Sequence, residues 1–258
     1  MNESAAKTLR LIKRSFPVVA TMRWTNRWLR KLVRSTHHLQ FLVEWAVDNP
    51  EYFDHNIDMY SSWYKTRESF PVERGVFSSF AMTANGNVLD LCCGDGFNSY
   101  YFYSLRAKYV TAIDFDREAI RWAKRNYKAP NLTFSSGDIR TDIPDGPFDN
   151  IVWDAAVEHF TEIEITALMS RIKAVLAPSG TLSGYTIIEL GGEVKHLHQH
   201  EYEFHSKEDL ARFLTPHFKN VHVFQTVFPS RTNLYFYATD GRLPFNQISS
   251  LNYSANQD

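Results

Sequence analysis

The stretch VLDLCCGDGFNS, residues 88–99, decides how the rest of the chain is read. An apolar run carrying an acid, Asp90, gives way to a turn containing Gly94 and Gly96, and a helical pattern starts near Phe97. Glycines let the backbone come close to a ligand, and the first amides of a helix favour an anionic or carboxylate group. Working outward, strand-like runs recur as NVLDL (87–91), YVTAID (109–114), NLTFSS (131–136), NIVWD (150–154) and GTLSGYTII (180–188). Helical patterns separate them. Ala119, Ile120, Ala123 and Tyr127 share one helical face, and so do Ile165, Leu168, Met169, Ile172 and Leu176. Such alternation predicts an α/β fold on a mostly parallel sheet.

Downstream, Ser206 followed by Asp209 predicts the capped start of a helix that ends near Pro216. NVHVFQTVF and TNLYFYAT then read as two strands closing the sheet as a hairpin, the antiparallel C-terminal part of a seven-stranded sheet. The tail 241–258 is polar and is expected to be loosely ordered. The expected division is a helical basic and aromatic extension over 1–84, a sheet domain over 85–240 and the tail. At 258 residues and 44% hydrophobic, the chain can bury a core without staples. Its only cysteines, Cys92 and Cys93, are adjacent, which suits neither a disulfide nor a four-ligand zinc site and predicts a reducing, cytoplasmic setting. No apolar run approaches the length of a membrane span.

The glycine turn gains meaning from IDFD, which puts Asp114 at the end of the second strand, where a carboxylate can accept both hydroxyls of a ribose. A nicotinamide site would prefer a third glycine, absent from the NSYYF that follows. The ordered set VLDLCCGDG, AIDFD, SGDI and FDNIVWDAAVEHF resembles the class I S-adenosylmethionine (SAM)-dependent methyltransferases over roughly residues 85 to 240. The resemblance implies a Rossmann-like fold, SAM as methyl donor and S-adenosyl-L-homocysteine as product. It further implies that Asp90, Gly94 and Gly96 bound the amino-acid end of SAM, with Cys92 where the family usually has its first glycine. Asp114 would hold the ribose, Asp138 would sit near the adenine amino group between Phe115 and Ile139, and Asp154 would lie below the sulfonium. The competing reading of each acid, and of Asp116, is a helix cap or turn residue.

Methyl transfer gains most from alignment, and a general base matters most when the acceptor is a hydroxyl. His159 follows the fourth strand, where the family's acceptor meets the methyl group; the alternative is that Glu158 and His159 orient the loop. Some relatives bind a divalent metal near this loop, but Ala155, three residues before Glu158, offers no ligand, so no metal is expected. The stretch KHLHQHEYEFH (195–205) holds four histidines beyond the fifth strand. If extended, it puts His196, His198 and His200 on one side. Its readings are a metal site, acceptor binding or base catalysis by His200 and His205, or a polar lid. Tyr60, Trp63 and Tyr64 resemble the family's N-terminal lid and would touch the acceptor; packing on the sheet domain is the alternative.

Residues 1–40 carry nine Lys and Arg against one acid, so the remainder of a chain of net charge −1 carries −9. Trp24, Trp28, Leu29, Leu32 and Val33 share a helical face apart from Arg23, Arg27, Arg30, Lys31 and Arg34. That pattern suits an anionic membrane surface, a partner or the acidic body of this chain. Nucleic acid is disfavoured, because the rest offers no basic groove. The reading as a whole is a SAM-dependent methyltransferase acting on a hydroxyl of a small molecule or glycan. Its alternatives are an N-methyltransferase on an amine and a non-catalytic protein of the same fold that binds a partner or membrane.

Overall fold

The computed structural model of the chain describes residues 16–45, 59, 67–188, 200–245 and 250–252. Tyr60, Trp63, Tyr64, His196 and His198 lie outside the described residues. Compactness divides the chain into Met1–Pro50 with Asn56–Arg67, and Glu51–His55 with Glu68–Asp258. The first unit contains helix α1, Phe16–Trp45. Trp24 is 68% and Trp28 55% exposed on it, and Leu29, Leu32, Val33, Arg23, Arg27, Arg30 and Lys31 are exposed as well. Among the described residues, no helix is long and apolar enough to cross a membrane.

Helix α2, Phe70–Ala81, belongs to the second unit together with the sheet. Asn150 is the reason at the helix's far end. Its Nδ2 donates to the Ala81 carbonyl and its Oδ1 accepts from the Thr83 amide, both at 2.7 Å.

The sheet is built from β1 Asn87–Leu91, β2 Tyr109–Asp114, β3 Leu132–Ser136, β4 Phe148–Asp154, β5 Leu176–Ile188, β6 Asn220–Val227 and β7 Thr232–Thr239. The order β3-β2-β1-β4-β5-β7-β6 is parallel through β5, and β7 enters antiparallel between β5 and β6. These are the seven strands expected from the sequence. The tail adds an eighth, β8 Ser250–Asn252, parallel to β6. The expectation of a loosely ordered tail is corrected there, and Leu243 and Phe245 explain how the chain is led back, since both pack on the cluster around Tyr235, Tyr237 and Phe224.

Strands covered on both faces read as continuous apolar runs. Leu89, Leu91, Ile151, Trp153 and Leu182 are fully buried, each such side chain contributing roughly 1.5–3 kcal/mol. Gly184 sets how closely β5 approaches β4, for a Cβ there would lie 2.0 Å from the Trp153 carbonyl oxygen. Between the strands run α3 Phe97–Tyr101, α4 Arg117–Asn126, α5 Glu162–Val175 and α6 Lys207–Leu214. Their starts are written in side chains. Asp116 caps α4, Thr161 and Glu164 form a capping box on α5, and Ser206 accepts from the Asp209 amide at 3.1 Å on α6. Leu176, expected on the face of α5, instead opens β5.

Crossovers leave β1 toward β2 on one side and enter β4 on the other, so the chain reverses between β1 and β4. Open α/β sheets bind ligands at that switch point, beyond the strands' carboxyl ends. Asn150→Ala should remove both clamps on the end of α2 and lower stability by about 2 kcal/mol, read as a shifted urea midpoint at unchanged slope.

Candidate functional site

A cavity of about 290 Å³ opens where β1, β2 and β4 end. The turn after β1 builds one wall through left-handed backbone at Cys92 (φ 57°), Gly94 (φ 54°) and Gly96 (φ 79°). Glycine at 96 is required twice over, since a Cβ would also meet the Phe134 ring at 2.5 Å. Cys92 holds the same conformation with a side chain, which costs roughly 1–2 kcal/mol.

Asp114 locks the turn to β2. Its Oδ2 accepts from the Gly94 amide and its Oδ1 from the Asp116 amide, each at 2.8 Å. A carboxylate oxygen carries two acceptor sites. Phe115, Asp138 and Ile139 line the cavity beside it. Asp138 is also a turn residue, accepting from the Arg140 amide at 2.9 Å and pairing with the Arg140 guanidinium at 3.2 Å. Asp116 does not line the cavity and serves as the cap of α4.

The opposite wall holds residues that sequence patterns did not single out. Asp154, buried at the end of β4, accepts from Asn98 Nδ2 at 3.0 Å and lies 3.8 Å from Arg74 Nε. Arg74 comes from α2, stands over the Tyr185 ring at 5.4 Å and is almost wholly buried. Asn98 Oδ1 is buried with no hydrogen-bond partner and belongs to a cavity-lining residue, so it can take a donor from a ligand. Nothing in the spacing of Arg74 announces it, whereas Asn98 sits inside the glycine motif and was open to notice.

Five acidic side chains, Asp90, Asp114, Asp138, Asp154 and Glu201, line this one cavity against two guanidiniums, Arg74 and Arg140, a balance that suits a ligand carrying positive charge. They also act on each other. Burial pushes Asp90 up to about 8; the hydrogen bond from the Ser99 hydroxyl opposes this, and the charges of Asp154 and Asp114 add to it. Burial likewise pushes the Cys92 and Cys93 thiols well up, with neighbouring carboxylates reinforcing it, so both side chains act here as small neutral walls.

At the far end, the turn Val157–His159 brings His159 to the cavity. Glu158 and His200 are buried behind it, 5% and 2% exposed, and the His159 and His200 rings lie 5.2 Å apart. The Glu158 carbonyl accepts from the Glu201 and Tyr202 amides at 2.9 and 3.1 Å, pinning the histidine stretch to this turn. His205 is exposed and does not line the cavity, and its amide donates to Asp209 at 3.2 Å at the start of α6.

Residues 88–180 match the family described as a methyltransferase domain. The match begins in β1 and runs into β5, so it takes in the glycine turn and Asp90, Asp114, Asp138 and Asp154. Among curated proteins, the chain is similar to the uncharacterized methyltransferase Rv0089 of Mycobacterium tuberculosis, 35% identical over 102 residues, 39% of this chain and 50% of that protein. The chain thus spans about half the length of the curated relatives it matches. Among solved structures it is similar to the N-methyltransferase NodS from Bradyrhizobium japonicum WM9 in complex with S-adenosyl-L-homocysteine. That likeness has a TM-score of 0.55 at 19% identity, over 69% of this chain and 91% of that one. The DhpI complex with the same product compares at a TM-score of 0.51 and 24% identity, over 61% and 78% of the two chains. At such identities these two structures show a common fold.

Asp90 supplies a pH test of this wall. Its ordinary value is 3.8, so between about pH 4 and 8 the unfolded chain ionises a carboxyl that the folded chain keeps protonated. The stability of the ligand-free protein should therefore fall as pH rises through that window. Asp90→Asn should flatten this dependence, measured as urea midpoint against pH.

Proposed function

We propose that the cavity binds SAM and that the chain transfers its methyl group to a hydroxyl of a small molecule or glycan. The observation that carries this reading is the meeting, in one cavity, of Asp90, Asp114, Asp138 and Asp154 with a left-handed glycine turn and the imidazole of His159. SAM supplies an electrophilic methyl on a positively charged sulfur. Asp90, Cys92, Gly94 and Gly96 frame its amino-acid end, with Arg74 available to the carboxylate and Asn98 Oδ1 to the ammonium. Asp114 takes the ribose hydroxyls, while Phe115, Ile139 and Asp138 surround the adenine. Asp154 lines the sulfonium end, where a carboxylate steadies positive charge before transfer.

At the other end His159 accepts the hydroxyl proton as the oxygen's electron pair forms the bond to carbon, and the carbon–sulfur pair leaves with sulfur. His200, buried behind it, holds the ring from the rear. A base of this kind contributes roughly 10²–10⁴ in rate for a hydroxyl acceptor and little for an amine. The similar NodS is an N-methyltransferase, which favours an amine as the alternative acceptor. Titration calorimetry with SAM and S-adenosyl-L-homocysteine should show binding that Asp114→Ala weakens by about 10- to 100-fold, the loss of hydrogen bonds to a charged acceptor. His159→Ala should leave that affinity in place and lower kcat by about 10²–10⁴. A kcat that barely moves would favour the amine, and no binding of either compound would overturn the reading.

The exposed tryptophans and arginines of α1 support contact with an anionic surface, tryptophans entering the interface and arginines meeting headgroups. Trp24→Glu with Trp28→Glu should abolish co-flotation with vesicles rich in anionic lipid. Flotation unchanged by the pair, or absent from the wild type, would remove the membrane and leave a protein partner.

A further inference from the structure

We propose that Glu158, His159 and His200 hold a divalent transition-metal cation of the zinc class at the acceptor end of the cavity. A carboxylate oxygen and one nitrogen from each imidazole all lie within 4.8 Å of one another. Zinc bonds of roughly 2.0–2.2 Å to nitrogen and oxygen bring tetrahedral ligands to about 3.4 Å apart, so small side-chain rotations close the set.

The three are held as a site would hold them. Glu158 and His159 share one turn, and two backbone hydrogen bonds to the Glu158 carbonyl fasten the segment next to His200. The Thr186 hydroxyl donates to Glu158 Oε2 at 3.0 Å, an orienting contact of the kind that ligating carboxylates carry. Glu158 and His200 are more than nine-tenths buried, and a carboxylate is costly to bury unless a cation or hydrogen bonds compensate it. Two imidazoles and one carboxylate suit zinc, manganese or iron(II) better than magnesium or calcium.

Three protein ligands leave one position, the arrangement of catalytic rather than structural zinc. Ala155, with no ligand to offer, and His159 both line the cavity, so that position faces the place assigned to the acceptor. This consequence rests on the reading of the cavity as a methyl-transfer site. A hydroxyl oxygen coordinated there becomes acidic enough to lose its proton to water near neutral pH. The oxygen pair then forms the bond to the methyl carbon and the carbon–sulfur pair returns to sulfur. In this form the imidazoles act as ligands instead of accepting the proton.

The test uses the full chain, stripped with a chelator and titrated with Zn²⁺ and with Co²⁺, whose visible d–d bands report its coordination. One ion per chain is expected, with low-symmetry cobalt bands. His200→Ala and Glu158→Gln should each weaken uptake by more than about tenfold, while S-adenosyl-L-homocysteine, titrated into the same samples, binds as in the wild type. The proposal is overturned by a wild type that binds the nucleoside and takes up neither ion, or by uptake that survives both substitutions. Uptake of the ion without nucleoside binding would instead sink the methyltransferase reading and leave the cation site standing.

Discussion

Asp114 joins the end of β2 to the turn after β1, and the rest of the site depends on that bond. The Gly94 amide can reach the carboxylate only because residues 92, 94 and 96 run through left-handed backbone, and the turn can pass Phe134 only because residue 96 has no Cβ. Once the turn is fixed, Asn98 and Ser99 at the start of α3 are aimed at Asp154 and Asp90. One carboxylate therefore orders a loop, a helix start and two further carboxylates. The accumulation of negative charge in a buried place is tolerable because Asp90 keeps its proton.

A second constraint governs the opposite end. The carbonyl of Glu158 takes two amides from residues 201 and 202, bringing a segment more than forty positions away beside the turn after β4. The amphiphilic surroundings of this junction, Thr186 below and Tyr202 with Phe204 and Phe213 beyond, hold it on one side of the cavity. The two ends of the cavity are thus stabilised by separate contacts.

Much of the fold was legible because its signals are local. The strands β2 and β7 run over the residues that their β-branched and aromatic patterns predict, and the cap of α6 is read from Ser206 to Asp209. Asp90, Gly94, Asp114, Asp138 and Asp154 line the cavity because a parallel sheet brings the ends of adjacent strands together. Arg74 was not legible. Its role comes from a helix folded back through Asn150, a contact between residues 69 positions apart.

By itself, the sequence determined the parallel sheet and the acids at its strand ends, since periodicity, glycine placement and capping act within a few residues. It put the histidine stretch beyond the fifth strand but gave no means of telling which of its imidazoles turns inward. Only the tertiary structure decided that His200 turns inward to meet Glu158 and His159 while His205 stays exposed near the start of α6. The physical reason is that backbone hydrogen bonds and burial between distant segments select which side chain faces inward, and no spacing along the chain encodes that choice.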